Sequence, residues 1–306
     1  MKVSISVSPK TAEEFGALCA EAKAAGFDAV DLGLYQLYPH TAVRSHKRSE
    51  LYSQSMEELQ AFFAPFKQAA ADNDIEVALM HAIFPGFEHA DAEFEAYLRE
   101  VLKKNIAICG FFGCPYIVVH SYTERDRLTG GTLEQERAIN MDLYTSLIPA
   151  AKEHGVTVCL ENLFYTDGNK RVNGSCSHAH EAVQYVDDLN AIAGEEVFGF
   201  CFDSGHATLC GENTYDFIHT LGSRLKALHL HDNYGMSDDH LHPYTGMMRW
   251  DYLLAALREI GYTGGLNFET FVYGSVHGRP LPEKVRPIML KYVADIGHYF
   301  VEEIQG

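Results

Sequence analysis

The sequence predicts an α/β protein built as a single (β/α)₈ barrel, and three observations carry that expectation. Short apolar runs alternate with amphipathic helical stretches along all 306 residues. There are eight of each, the count of a closed parallel barrel and more than a doubly wound open sheet ordinarily uses. Several runs end on an acid or a histidine: VALMH at His81, YIVVH at His120, VTVCLE at Glu161, FGFCFD at Asp203, KALHLHD at His229 and GGLNFE at Glu269. Mostly apolar runs suit strands buried on both faces, and a parallel barrel gathers the C-terminal ends of its strands at one mouth.

Val3–Ser8 reads as the first strand. Thr11–Gly26 follows as a helix, because Phe15, Leu18, Cys19 and Ala22 recur at helical spacing and Gly26 stops it. The second strand, Ala29–Leu34, precedes the helix Ser55–Asn73, which opens on the capping pair Ser55 and Glu58. The third unit is Val77–His81 with helix Asp91–Cys109, and the fourth is Tyr116–His120 with Leu133–Glu153. Val156–Glu161 with Ala179–Ala193, and Val197–Asp203 with Tyr215–Leu221, are the fifth and sixth. Ala227–His231 with Trp250–Ile260, and Gly265–Glu269 with Glu283–Glu303, complete the set. The units share no sequence self-similarity, so the repeat is architectural.

No Pro/Ser/Gly-rich linker divides the chain, and residues 1–306 read as one domain. It opens MKVSISVSPK and holds no apolar stretch long enough for a signal peptide or membrane span. That points to the cytoplasm and away from a membrane partner. Seven cysteines, odd in number and mostly in apolar runs, read as reduced core thiols. A formal net charge of -18 opposes attraction to phosphate backbones and anionic membranes, so no nucleic-acid partner is expected. The GxGxxG, Walker, GxSxG and HExxH motifs of common nucleotide-binding, hydrolase and zincin sites are missing.

Glu161, Asp203, His229 and Glu269 end strands five to eight and should converge. One such residue is ordinarily a capped strand end or a satisfied core group, an account that strains to cover four on successive strands. Three carboxylates and an imidazole suit a divalent ion such as Mn²⁺, Mg²⁺, Co²⁺ or Zn²⁺. A second tier comprises His81, His120, His206 three residues after Asp203, and the D-x-H pair Asp238 and His240. These are candidates for additional ligands, for contacts to substrate hydroxyls or for loop support. Imidazole-rich ligation favours Zn²⁺ or Mn²⁺ over Mg²⁺. His242 competes with His240 by proximity. Phe84, Phe87, Tyr122, Phe164, Tyr165 and Trp250 lie near the expected mouth, where rim packing is their ordinary role.

In the stretches HLHDN at 229–233, DDHLHPYTGMMRW at 238–250 and REIGYTGGLNFE at 258–269, the chain resembles the xylose isomerase-like TIM-barrel superfamily. Its sugar isomerases and epimerases are similar over essentially the whole length. The resemblance implies that the metal-binding Glu, Asp, His and Glu stand at Glu161, Asp203, His229 and Glu269. The same superfamily contains the endonuclease IV branch, which cleaves DNA at abasic sites with three zinc ions. Its additional ligands would correspond to His81, His120, His206, Asp238 and His240, with His240 selected over His242 by counting back six residues from Gly246.

A ketose epimerase or aldose–ketose isomerase removes a proton next to a carbonyl and stabilises the enediolate, work for a divalent ion and two carboxylates. By resemblance to the ketose epimerases, Glu161 and Glu269 are the catalytic pair and His206 holds a substrate oxygen. Those epimerases carry an arginine shortly after the strand-seven histidine, where this chain has Tyr234, Gly235 and Met236, so no particular ketose is implied. DNA would need phosphate-gripping side chains, for which Lys170, Arg171, Arg125, Arg127 and Arg279 are sparse candidates. Gly274, Gly278 and Arg279 follow strand eight, where barrels often hold phosphate, which keeps a sugar phosphate open. A non-catalytic barrel is disfavoured because all four central ligand types are intact. The expected function is a metal-dependent isomerase or epimerase of a small-molecule sugar, sugar phosphate or polyol, and the alternative is a zinc-dependent abasic-site endonuclease. A homo-oligomer is compatible with the sequence, which does not specify one.

Overall fold

Eight parallel strands close into a barrel: β1 (Val3–Val7), β2 (Ala29–Gly33), β3 (Glu76–His81), β4 (Tyr116–Val118), β5 (Thr157–Glu161), β6 (Phe198–Asp203), β7 (Leu225–Leu230) and β8 (Leu266–Phe268). The computed structural model describes residues 1–88, 91–123, 131–167, 170–270, 275–276 and 279–306, with the backbone alone at 275, 276, 279 and 280. Each strand pairs with its neighbours in sequence, and β8 closes the ring on β1 through Val3↔Leu266, Ser4↔Asn267 and Ile5↔Phe268. This is the (β/α)₈ architecture that the alternation predicts.

The principal helices are α1 (Ala12–Ala25), α2 (Met56–Asp72), α3 (Ala92–Phe112), α4 (Leu133–Thr145), α5 (Ala179–Ala193), α6 (Thr214–Leu221), α7 (Trp250–Glu259) and α8 (Arg286–Gln305). Their ends follow from local chemistry. Thr11 accepts from the Glu14 N–H at the start of α1, and Gly26 ends that helix at φ 101°, a conformation that costs glycine little. Ser55 and Glu58 form the expected capping box on α2. The single helix expected over Leu133–Glu153 is two pieces, because α4 stops at Thr145 and a second helix, Ile148–His154, starts beside Pro149. Proline has no N–H to continue the ladder and fits the first turn of a new helix.

Large apolar side chains between strands and helices form the main core, with Phe15, Phe63, Tyr144, Phe198, Phe200 and Trp250 among those fully buried. Leu79, Val118, Cys159, Cys201 and Ala227 form a smaller cluster of their own. All seven cysteines are free and six are buried, as their apolar surroundings suggest.

Three insertions shape the mouth. The short helix His40–Arg44 follows β2, the antiparallel hairpin Phe164–Asp167 with Lys170–Asn173 follows β5, and the helix Ser204–Cys210 starts directly after Asp203. Among the described residues, no helix is long and apolar enough to cross a membrane.

Candidate active site

Side chains two apart on a strand share a face, so strand ends can deliver polar groups to one interior point. Glu161 is last in β5, Asp203 last in β6, His229 next to last in β7, and Glu269 follows β8 directly. Asp203 is in register with His229, and His229 with Asn267. The Glu269 N–H donates to Leu230 O at 3.1 Å. The four side chains meet: Glu161 Oε1 lies 2.7 Å and Glu269 Oε2 3.6 Å from His229 Nδ1. Ligand atoms of Asp203, His229 and Glu269 fall within 4.8 Å of one another. Glu161, Asp203 and His229 are almost wholly buried, while Glu269 borders open space.

The second tier gathers around these four. His120 lies two residues beyond the end of β4, with Nε2 2.6 Å from Glu161 Oε2 and 3.0 Å from His81 Nε2. Asp238 Oδ2 is 3.0 Å from His240 Nε2 and 3.6 Å from His206 Nε2. His240 Nδ1 is 2.7 Å from Glu269 O. His242 turns toward Tyr292 instead and does not reach the cavity, so it is His240 that meets Asp238. Asp203 caps the helix Ser204–Cys210 by accepting from the His206 N–H at 2.7 Å, which fixes where that imidazole projects.

Three residues at the site had no role in the sequence reading. His231 Nε2 is 3.1 Å from Asp203 Oδ2 and 3.8 Å from Asp238 Oδ1, and its ring stacks on His240 at 4.1 Å. It bridges the two tiers, and the H-x-H spacing in a strand was the available signal. Asn162 ties β5 to β6 by two 2.8 Å bonds with the Asp203 backbone. At Gly205 a Cβ would come within 1.9 Å of the His231 ring, so the ring fits only because no side chain is there.

Burial raises the Glu161 carboxyl, but His229 and His120 outweigh it and hold the group well below the usual carboxylate range. Asp203 is lowered against burial by His206 and His231, and Asp238 by His240 and His206. Burial depresses the imidazoles of His206, His229 and His240, yet their acidic neighbours prevail. Asp203 and Asp238 lift His206 well above its ordinary value, Cys201, Glu161 and Glu269 do the same for His229, and Asp238 pushes His240 up to about 10. His81 shifts downward through burial and the adjacent His120.

Several buried polar atoms here lack a hydrogen bond: His229 Nε2, His231 Nδ1 and Asp238 Oδ1. Such atoms are rare in native folds and mark places where a water or an ion belongs. Carboxylates and imidazoles at these separations suit a divalent cation, which would offset the cost of burying the acids together.

A cavity of about 810 Å³ opens over the cluster and is bordered by His81, His120, Glu161, His206, Asp238, His240 and Glu269. Phe84, Phe87, Tyr122, Phe164 and Tyr165 line its sides. Phe84 packs edge-on against His120 and Phe164 against His206, with ring centroids 5.1 and 5.0 Å apart. Trp250 is buried elsewhere, its Nε1–H donating to Asp232 Oδ2 at 3.1 Å. Arg44 ends its short helix on the cavity wall and has no ion pair or side-chain hydrogen bond among the described residues. Of the basic candidates for DNA contact, Arg171 donates to Thr166 Oγ1 at 3.0 Å and stands over the Phe164 ring, and Lys170 is exposed beside it. Arg125, Arg127, Gly274, Gly278 and the side chain of Arg279 lie outside the described residues.

A D-tagatose 3-epimerase-like protein of known structure superposes with a TM-score of 0.71 at 18% identity, covering 100% of this chain and 98% of that one. In sequence, the chain is 30% identical to the uncharacterized protein y4fM of Sinorhizobium fredii over 174 residues, 56% of this chain and 52% of the relative. It is 28% identical to the D-psicose 3-epimerase of Agrobacterium fabrum over 181 residues, 59% of this chain and 56% of the relative. The chain thus spans about half the length of these curated relatives. Residues 19–302 match the family model described as xylose isomerase-like TIM barrel, and with the closed barrel already in view the chain belongs to that family.

Proposed function

We propose that residues 1–306 form one domain that isomerises or epimerises a sugar, sugar phosphate or related polyol, with a divalent cation held by Glu161, Asp203, His229 and Glu269. The observation that carries this reading is the placement of two carboxylates from non-adjacent strands. Glu161 and Glu269 both border the cavity and stand 2.7 and 3.6 Å from one imidazole nitrogen, His229 Nδ1. A cation bound there would polarise nearby substrate oxygens and acidify the hydrogen on the carbon between them. Glu161 and Glu269 would take that proton from one face and return it to the other. His206 would hold a substrate oxygen, donating from an imidazole that Asp203 and Asp238 keep protonated. The imidazole-rich surroundings favour Zn²⁺ or Mn²⁺, with Mg²⁺ and Co²⁺ also compatible with the carboxylates. His81, His120, His206, Asp238 and His240 are available as additional ligands.

The relative named D-psicose 3-epimerase and the solved D-tagatose 3-epimerase-like protein support a carbohydrate substrate. Where ketose epimerases carry an arginine after strand seven, Arg44 reaches the cavity from after β2 and is placed to meet a substrate phosphate or outer hydroxyl. Seven free cysteines suit a reducing compartment, in keeping with a cytoplasmic enzyme.

Glu161→Gln and Glu269→Gln test the reading, since glutamine keeps size and one oxygen but removes the base. Each variant should retain measurable metal yet lose exchange of the substrate's α-hydrogen with solvent deuterium over a panel of ketoses and ketose phosphates. A metal-loaded variant exchanging at the parent rate would exclude that residue as the base.

A further inference from the structure

Asp31 is a buried carboxylate that the proposed chemistry does not use. It sits in the middle of β2, in register with Ser6 of β1, and is 2% exposed. Its Oδ2 accepts from Ser6 Oγ at 2.8 Å and from Asn267 Nδ2 at 3.1 Å. Its Oδ1 is buried with no hydrogen-bond partner. His229 Nε2 lies 3.5 Å from Oδ2 and is likewise buried without a hydrogen bond. The other nitrogen of that ring faces Glu161 and Glu269. The imidazole therefore stands between Asp31 on one side and the candidate cation site on the other.

A carboxylate buried near other carboxylates is costly unless a donor meets it. An imidazole that offers one nitrogen to a cation carries its proton on the other, and whatever accepts that proton fixes the tautomer and the ring plane. We propose that Asp31 is the positioning residue for His229, accepting the Nε2 proton so that the Nδ1 lone pair is aimed at the cation site. This rests on the proposed function, which places a cation there. Joining β1 to β8 does not by itself require an acid on β2, because Ser4 and Ser6 of β1 each already bond to Asn267 of β8.

The test is competition with a fluorescent chelator for Zn²⁺ and Mn²⁺, using the full chain. Asp31→Asn keeps an acceptor for Ser6 and Asn267 but removes the charge, and should bind metal about tenfold more weakly; Asp31→Ala should lose about a hundredfold. Ser6→Ala removes a bond to the same carboxylate oxygen and should leave metal affinity unchanged while lowering thermal stability. Nitrogen-15 spectra of the zinc-loaded parent should show His229 protonated at Nε2. If Asp31→Ala does not fold, Asp31→Asn decides. Parent affinity in Asp31→Asn, or an equal loss in Ser6→Ala, overturns the positioning role alone. A parent that binds neither of these metals, and neither Co²⁺ nor Mg²⁺ in the same assay, overturns the proposed function as well.

Discussion

Asp203 and Asp238 set the protonation of the imidazoles around them, and the pH response of the metal-free protein should reveal it. The His240 imidazole, pushed up to about 10 by Asp238 against the effect of burial, has a folded-state pKa above its unfolded value. Its stabilising contribution is therefore fully present below the unfolded imidazole value of about 6.5 and is lost as pH rises through the folded one. Asp238 is lowered, so its own contribution is present above the ordinary aspartate value and lost in acid. In the presence of chelator, thermal unfolding should occur a few degrees higher at pH 6 than at pH 9, and His240→Ala should narrow that gap. An unchanged gap in that variant would place the pH dependence elsewhere. The four central residues were legible because each ends an apolar run, where a polar group has no packing reason to stand. His231 was overlooked because the same alternation that presents His229 also presents it, and one ligand per strand sufficed for the pattern. Asn162 uses both ends of its side-chain amide on the Asp203 backbone, a pairing between neighbouring strands that no spacing within its own run announces.

The loop between β7 and α7 depends on a single aspartate. Asp232 is fully buried and accepts from the Asn233, Gly246 and Met248 N–H groups at 2.8 to 2.9 Å and from Trp250 Nε1 at 3.1 Å. A Cβ at Gly246 would fall 2.3 Å from Asp232 Oδ1, so the loop closes on the carboxylate only with glycine there. The enclosed segment contains Asp238 and His240, and the element that folds by these bonds also positions the second tier. Asp232→Ala should cost about 3 kcal/mol in denaturant unfolding by leaving several buried donors unpaired. The same variant should lose activity through misplaced Asp238 and His240 even under conditions where it is folded. The motif HLHDN was recognisable from sequence, but which of its polar residues faces the cavity and which holds the loop depends on contacts fourteen to eighteen residues away. The break between α4 and Ile148–His154 was missed for a related reason, since apolar spacing continues across it and only Pro149 marks it. The hairpin after β5 gives no clear sequence signal because its strands are four residues each, mixed in polarity and only partly buried.

For the molecule as a whole, the net charge of -18 and the Arg171 contacts within its own hairpin leave little to grip a phosphate backbone. Duplex DNA carrying an abasic-site analogue should bind weakly at physiological salt with a shallow salt dependence. Tight binding with strand incision would move the endonuclease reading ahead of sugar chemistry. The barrel itself was readable because its alternation is global: eight apolar runs and eight helices leave few other topologies, whatever the error at each boundary. What the run of strands does not announce is how late the ring can close. Val3, Ser4 and Ile5 pair with residues 266–268, and Glu269 comes immediately afterwards. On a translating ribosome at about 5 to 20 residues per second, β1 waits roughly 10 to 50 s for β8 to appear. Throughout that interval the growing sheet has open edges, the situation in which nascent chains aggregate or recruit chaperones. Because Glu269 is made last of the four central ligands, a cation that needs all of them would find its site complete only after β8 has been synthesised.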